Sequence, residues 1–415
     1  MKKTILSITC NLVVLIFLFS FFSTANAERK TYVGVGEYVM RDFETPDIAK
    51  QRAKARAEQN AVEQAGVYVE SYTKTENSIV VKDEITAITI GILHVMDTKY
   101  SFTPLQEQSG STIVKATIKA YVDSKQMDEW MKQNIQQKLQ YTQQLKELLQ
   151  ENEKLEKENI ALKKRMDDAK TAEEIEKVKK EIEQNDKKFL SKEKIKEGIK
   201  LTKDKDYNSA VTCLTEAVNL APSDYGAYYF RGLAYDEMGK HQEALNDYLK
   251  AIKLEPSFPV PYYFRSKTYM KLKQYPEAIA DINKFLSMKI TGILFYNNKH
   301  ILADALCDRA QAYFHTKQYN LMLKDADKAI ELDPNKMMAY YWRAFGEKRK
   351  NDYAGAIHDM SKVIEIASAT TPSYLPVAYR LRAYIYEDMG EKQKAQADIE
   401  IAEKLIERIK TAIHR

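Results

Sequence analysis

Apolar and polar positions change rhythm twice along the chain. From Thr31 to Met40, and again from Ser111 to Val122, they alternate. In the second stretch Val114, Ala116, Ile118, Ala120 and Val122 fall on one side, and Ile113, Lys115, Thr117, Lys119 and Tyr121 on the other. A period of two predicts half-buried strands. Val67–Val81 and Lys99–Leu105 read as further strands, with a short helix near Ile85–Leu93 between them. After the first strand, Thr45-Pro46-Asp47 reads as a helix start, with Thr45 as N-cap and Pro46 at the first helical position. That helix is expected to run to about Ala65 and to end at Gly66. Its alanines 53, 55, 57, 61 and 65 make a small face that can lie close on a sheet. Residues 28–123 are therefore predicted to be a small α+β domain, two helices on an antiparallel sheet. Gly34-Val35-Gly36 has no third glycine at a helix start, so it reads as a relieved strand and not as a phosphate loop.

The rhythm then becomes helical. From about Ser124 to Met166, Leu148, Leu155 and Leu162 recur every seven residues, and Leu145, Asn152, Asn159 and Met166 occupy the alternate seam. This predicts a long coiled-coil-like helix within a linker at 124–190. Asparagines in the seam favour a parallel two-stranded pair, that is, a homodimer. Thr171 with Glu174 forms a capping-box pattern that stops and restarts the helix, so an antiparallel hairpin within one chain is the alternative.

Beyond Ser191 a 34-residue beat takes over. Units start at Ser191, Tyr225, Pro259, Ala303, Met337 and Pro376 (191–224, 225–258, 259–292, 303–336, 337–370, 376–409). A small residue recurs as Gly198, Gly232, Ser266, Ala310, Ala344 and Ala383. An alanine recurs as Ala210, Ala244, Ala278, Ala356 and Ala395, with Met322 as the exception. Small side chains suit helices that cross closely. A period in this range marks stacked helix pairs that bury one face on a neighbour. Residues 293–302 and 371–375 interrupt the beat as longer loops, the first with the option of extra helical turns.

On these offsets, with Pro222, Pro256 and Pro334 closing units, residues 191–409 resemble the tetratricopeptide repeat (TPR) family. The resemblance implies a C-terminal α-solenoid of six helix pairs within a mainly α chain, and a groove for a polypeptide. Its groove positions correspond here to Tyr229, Leu233, Tyr263, Lys267, Met270, Gln311, Phe314, Met338, Tyr341, Phe345, Arg380 and Tyr384. Tyr, Met and Arg suit a partner surface. The competing reading places some of them inside the superhelix. The lysine–asparagine clamp of some TPRs is missing, since the ninth positions include Ile199, Leu233 and Lys267. An apolar or aromatic segment is thus the expected ligand. A second recurrence is structural in character: Arg231, Arg265, Arg309, Arg343 and Arg382 at the seventh position, with Asp247, Asp281, Asp325, Asp359 and Asp398 at the twenty-third. A guanidinium–carboxylate bond explains their co-occurrence. The pattern leaves open whether each pair closes within a unit or between neighbours.

The strand with Gly34 and Glu37, the Ala53–Ala57 helix and the Thr86–Gly91 stretch resemble the flagellar FlgT N-terminal family and its lipoprotein relatives. That resemblance implies a bacterial envelope location and an assembly role. Lys2-Lys3, the apolar Leu12–Phe22 and Ala25-Asn26-Ala27 form a secretory leader, with cleavage expected after Ala27. A retained anchor is the alternative, because Ile5–Phe22 nearly reaches spanning length. The destination is then the periplasm or cell envelope.

Composition narrows the chemistry further. The formal net charge is +5, and removing Lys2-Lys3 leaves about +3, too weak a basic field for nucleic acid. Cys213 and Cys307 lie in different repeats, so no disulfide is expected. The six histidines lack metal-ligand spacing, and no nucleophile motif occurs. The chain is therefore expected to be non-enzymatic, without cofactor or metal. The favoured function is an exported scaffold or adaptor that binds a polypeptide. The alternative is a structural component of an envelope ring or appendage, assembling through the N-terminal domain and coiled coil. A cell-wall hydrolase ranks third, lacking a convergent acidic pair.

Overall fold

The structure, a computed structural model, describes residues 29–75, 85, 89, 90, 92–105, 111–123, 135–288 and 298–413. The expected leader lies outside the described residues, as do half of the 293–302 insertion and the start of the linker. The chain divides into two compact units, the first ending at Lys192 and the second beginning at Glu193.

In the first unit, β1 (Arg29–Met40) and β2 (His94–Pro104) both pair antiparallel with β3 (Thr112–Asp123), in the order β1-β3-β2. The alternation expected in β3 is observed: Val114, Ala116, Ile118, Ala120 and Val122 are fully buried. Helix α1 (Pro46–Thr75) packs on β1 and β3. Thr45 caps it, its Oγ1 accepting from Ile48 N at 3.4 Å. Gly66 does not end α1, and the strand expected from Val67 is helix as far as Thr75. The reason is tertiary: Ala61, Ala65 and Val69 keep one buried stripe through the glycine. Ile85 and Ile92 pack onto Ala65 and Val69. Burying that stripe outweighs the roughly 1 kcal/mol that a mid-helix glycine costs. Of the expected short helix Ile85–Leu93, the described residues 85, 89, 90 and 92 are helical and Leu93 is not.

The paired glycines of β1 lie where α1 comes closest. A Cβ on Gly34 would sit 2.0 Å from the Ala57 carbonyl oxygen, and one on Gly36 2.2 Å from that of Ala53. Glycine in β1 and alanine in α1 are two halves of one close approach.

Helices α2 (Ile135–Asp168) and α3 (Ala172–Lys203) form an antiparallel hairpin. Its rungs are Arg165–Glu181 at 2.7 Å, Asn185–Glu158 at 3.2 Å and Lys192–Glu151 at 2.6 Å. The turn is the expected capping box: Glu174 N donates to Thr171 Oγ1 and Thr171 N to Glu174 Oε2, both at 3.2 Å. This corrects the parallel-pair reading of the seam. Leu162 packs on Val178 and Ile182, and Asn159 is fully buried within the chain.

The hairpin is also joined to α1 and β1 by a buried polar network. Arg52, fully buried, donates to Asp186 (2.6 Å), Asn185 (2.8 Å) and Glu156, with its guanidinium 4.4 Å from the Phe189 ring centre. Lys163 Nζ donates to Glu44 (2.7 Å) and to the Tyr38 hydroxyl (2.8 Å), and Tyr38 in turn donates to Glu44. Burial holds the Lys163 amine below its usual range, with Glu44 opposing. It raises the Asp186 carboxyl against the pull of Arg52. Tyr38 is pushed far up by burial and then by Glu44.

The second unit stacks six helix pairs: the end of α3 with α4 (Tyr207–Leu220), α5 (Tyr225–Glu237) with α6 (His241–Leu254), α7 (Val260–Lys271) with α8 (Tyr275–Ser287), α9 (Asn298–His315) with α10 (Tyr319–Leu332), α11 (Met337–Arg349) with α12 (Tyr353–Thr370), and α13 (Leu375–Asp388) with α14 (Lys392–Ile413). The described end of the first insertion, Asn298–Leu302, extends α9; the second contains a 3-10 turn, Pro372–Tyr374. In every unit the residue fifteenth from the start is left-handed: Lys205, Gly239, Lys273, Lys317, Asn351 and Gly390, with φ between 60° and 79°.

Gly34→Ala should destabilise the first unit by about 2–3 kcal/mol through overpacking. Gly66→Ala, where the nearest atom lies 3.9 Å away, should stabilise α1 by about 0.5–1 kcal/mol. Calorimetric melts of the two variants check this pair of opposite signs.

Candidate functional site

The first helices of the repeats carry the expected groove residues, and the structure sorts them into two sets. Tyr229 and Tyr263 are 1% and 8% exposed and belong to the interior. Tyr229 packs among Phe230, Tyr248, Phe258 and Phe264. Tyr263 stacks on Phe285 at 5.0 Å and donates to Asp308 at 3.1 Å. Their placement as ligand contacts is thereby corrected: large aromatics here fill the gap between successive helix pairs. Leu233, Lys267, Met270 and Gln311 are half-buried. Lys267 lies 3.9 Å from Asp308, a carboxyl that burial raises.

The fourth and fifth units bring the rest together. Phe314, Met338, Tyr341 and Phe345 are half-buried on one core cluster. Phe345 lies 4.8 Å from the Tyr341 ring centre and 5.9 Å from that of Phe314. Arg349 lies 5.8 Å over Phe314. Arg380 and Tyr384 are exposed in the sixth unit, and the Lys348 ammonium sits 3.5 Å over the Tyr384 ring while bonding Asp388 at 2.6 Å. Most charges along these helices neutralise one another, as with Lys271–Asp236 at 2.6 Å and Lys336–Asp304. Among the described residues no carboxylate lies within ion-pair distance of Arg349 or Arg380. The surface of the fourth and fifth units therefore combines aromatic rings with the Arg349 guanidinium, whereas Arg380 lies with Val377, Ile406 and Ile409 in the sixth.

The Arg/Asp recurrence is resolved in geometry. Each pair closes within its own unit as a bidentate fork: Arg231–Asp247 (2.8 and 2.8 Å), Arg265–Asp281 (2.7 and 2.7 Å), Arg309–Asp325 (2.6 and 2.6 Å), Arg343–Asp359 (2.6 and 2.9 Å) and Arg382–Asp398 (2.8 and 2.8 Å). The third nitrogen then reaches back to the preceding unit. Arg231 donates to Thr215 (3.2 Å), Arg309 to Asn283 (2.6 Å), Arg343 to Asp327 (2.9 Å) and Arg382 to Ser361 (2.9 Å). All four acceptors occupy the twenty-fifth position of their units. For Arg265 that position is Leu249, which cannot accept. Sequence reasoning missed this link, although the polar residue at a fixed offset was there to read. Tyrosines at the fourth and eleventh positions flank the guanidinium, as Tyr228 and Tyr235 do Arg231 at 5.6 and 5.9 Å. In the first unit Glu197 and Cys213 replace the pair, and burial followed by Glu197 raises the thiol.

Two flanking tyrosines are absent, and Leu306 takes the fourth position in the fourth unit. Tyr235, Tyr269, Tyr313 and Tyr386 occupy the eleventh position, and Glu347 replaces them in the fifth unit. Glu347 Oε2 is buried without a hydrogen-bond partner. Its carboxyl is pushed up to about 7 by burial and then by Asp359, against Arg343, with Asp352 and Asp327 adding to the rise.

Cys213 and Cys307 are free thiols. Among the described residues no group of three or more His, Cys, Asp or Glu side chains could hold a metal ion. Among them, too, no helix is long and apolar enough to cross a membrane.

Residues 225–258 match one tetratricopeptide repeat model, and residues 261–289 and 303–336 match a second of the same description. These stretches are tetratricopeptide repeats. No curated protein matches the chain. Among solved structures, a tetratricopeptide repeat protein from Parabacteroides merdae is 24% identical, covering 54% of this chain and 87% of its own, with a TM-score of 0.43. PilW, described as a widely conserved type IV pilus biogenesis factor, is 15% identical over 50% and 90%, TM-score 0.44. YrrB, a TPR protein with an unusual peptide-binding site, is 19% identical over 48% and 96%, TM-score 0.38.

Two variants test the TPR fork. Asp325→Ala strands Arg309 and should cost about 3 kcal/mol, whereas Leu249→Asn gives Arg265 its third acceptor and should add about 0.5–1 kcal/mol in urea unfolding. Glu347 sets a pH dependence. Its folded pKa lies above the ordinary carboxyl value, so the stability it contributes is complete below about pH 4.5 and is lost as pH rises through 7. Discounted for its half-exposed position, the loss is about 1 kcal/mol between pH 5 and 8. Glu347→Tyr should abolish that slope in urea titrations at the two pH values.

Proposed function

We propose that the chain is a non-enzymatic scaffold that holds an apolar, aromatic-containing segment of another polypeptide against the first helices of its fourth to sixth repeats. The observation that carries this reading is the half-buried set Phe314, Tyr341 and Phe345, with the Arg349 guanidinium over Phe314 and no carboxylate within ion-pair distance of it among the described residues. Rings of this kind present large rigid apolar area at low entropic cost, and an arginine beside them can bond a carbonyl or carboxylate of the bound segment. TPRs are an interaction fold, and the peptide-binding site named for YrrB belongs to a protein of the same repeat type. Export and work in the bacterial cell envelope belong to the same proposal. They rest on the leader pattern from Lys2 to Ala27 and on the resemblance of residues 28–123 to the FlgT N-terminal family.

Selection from a displayed peptide library against the purified chain is expected to return segments with aromatic or large aliphatic anchors. Tyr341→Ala with Phe345→Ala should then weaken the selected peptide at least tenfold. Leu321→Ala, on the exposed side of a second helix, should leave it unchanged. Equal affinity for the double variant and the wild type would remove the groove.

A further inference from the structure

The two edges of the N-terminal sheet differ. On β1, alternate backbone groups directed away from β3 are already taken. Val33 O accepts from Gln64 (3.1 Å), Val35 N donates to Asn60 (3.3 Å), Glu37 O accepts from Arg56, and Val39 O accepts from Lys163 (2.8 Å). Side chains of α1 and α2 thus occupy that edge from Val33 to Val39. On β2, nothing among the described residues pairs with the edge away from β3. Its inner-face residues Tyr100 and Phe102, in register with Ala116 and Val114, remain 36% and 46% exposed. An open strand edge beside exposed aromatics is a template for another strand.

The charges on β2 select the occupant. Asp97 and Lys99 lie on the outer face, in register with Lys119 and Thr117 of β3. If a second copy pairs antiparallel about a two-fold axis through Thr98, Asp97 of each copy falls opposite Lys99 of the other. An axis through Asp97 or Lys99 would instead set like charges opposite each other, and one through Tyr100 would pair neither. Directly opposed unlike charges stabilise a strand pair and like charges destabilise it. The strand is therefore self-complementary in a single register. We propose that two copies of this chain associate through β2, antiparallel and centred on Thr98, to form one six-stranded sheet. Because each β1 edge is occupied, growth stops at two copies, giving a closed dimer and not a fibre.

Sedimentation velocity of the full chain across a concentration series tests this. The wild type is expected to be a reversible dimer. Asp97→Lys or Lys99→Asp alone should raise the dimer Kd at least about tenfold. The double variant Asp97→Lys/Lys99→Asp should return it to within about threefold of wild type, because the swap rebuilds both pairs. Thr98→Cys should form an intermolecular disulfide under mild oxidation, since opposed Cα atoms lie about 4.5–5.5 Å apart in an antiparallel pair. Asp97 and Lys99 are exposed and Thr98 is half-buried, and circular dichroism confirms that each variant folds. A chain that stays monomeric at every concentration overturns the proposal. So does a dimer whose Kd ignores both single reversals, or a monomer that instead takes an added extended peptide along β2.

Discussion

The repeat array depends on one bond pattern: an arginine on a first helix that forks onto an aspartate of its own second helix. The aspartates are buried, so each needs the guanidinium opposite it, and a bidentate geometry fixes distance and rotation together. The same arginine's third nitrogen reaches the preceding unit. One residue type therefore sets both the angle within a pair and the stacking between pairs. Tyrosine rings, on both sides of Arg231, Arg265 and Arg382 and on one side of Arg309 and Arg343, restrict the guanidinium further and shield it from water. Where a component is replaced, the consequence is local: Leu249 removes one link between units, and Glu347 substitutes a titratable group for a ring.

The first unit solves a different problem with related chemistry. A three-stranded sheet with one long helix has too little apolar area of its own to be sturdy. The α2–α3 hairpin adds surface, but it is joined through charge as much as through leucine. Arg52, Lys163, Glu44, Glu156 and Asp186 balance one another around Tyr38 and Asn159. A network of this kind tolerates only one docking geometry, because a slipped helix would leave a buried charge unpaired. Asn159 of the heptad seam belongs to this network.

Periodicity made the repeats legible. A 34-residue beat with small residues at fixed offsets leaves little freedom of interpretation, and the Arg/Asp recurrence could be read for the same reason. Two kinds of feature were not legible. Gly66 looked like a helix end because local propensity favours that, and only the packing of Ile85 and Ile92 carries α1 past it. The seam of α2 looked like a dimer interface because a heptad does not reveal whether its partner is another chain or the next helix. At the candidate site, the first-helix positions that the repeat resemblance implies gave a set of candidate residues. They could not separate Tyr263, buried against Phe285, from Phe345, half in contact with water. That distinction arises from the neighbour's side chains.

The left-handed residue in every repeat turn has an effect on how the array comes apart. Glycine adopts that conformation freely, whereas Lys205, Lys273 and Lys317 pay about 1 kcal/mol each for it. Three of the six hairpins thus carry tension at their bends and owe their closure to the units beside them. Such a chain should gain order cooperatively, from the middle outward, and fray first at whichever terminal hairpin loses its neighbour.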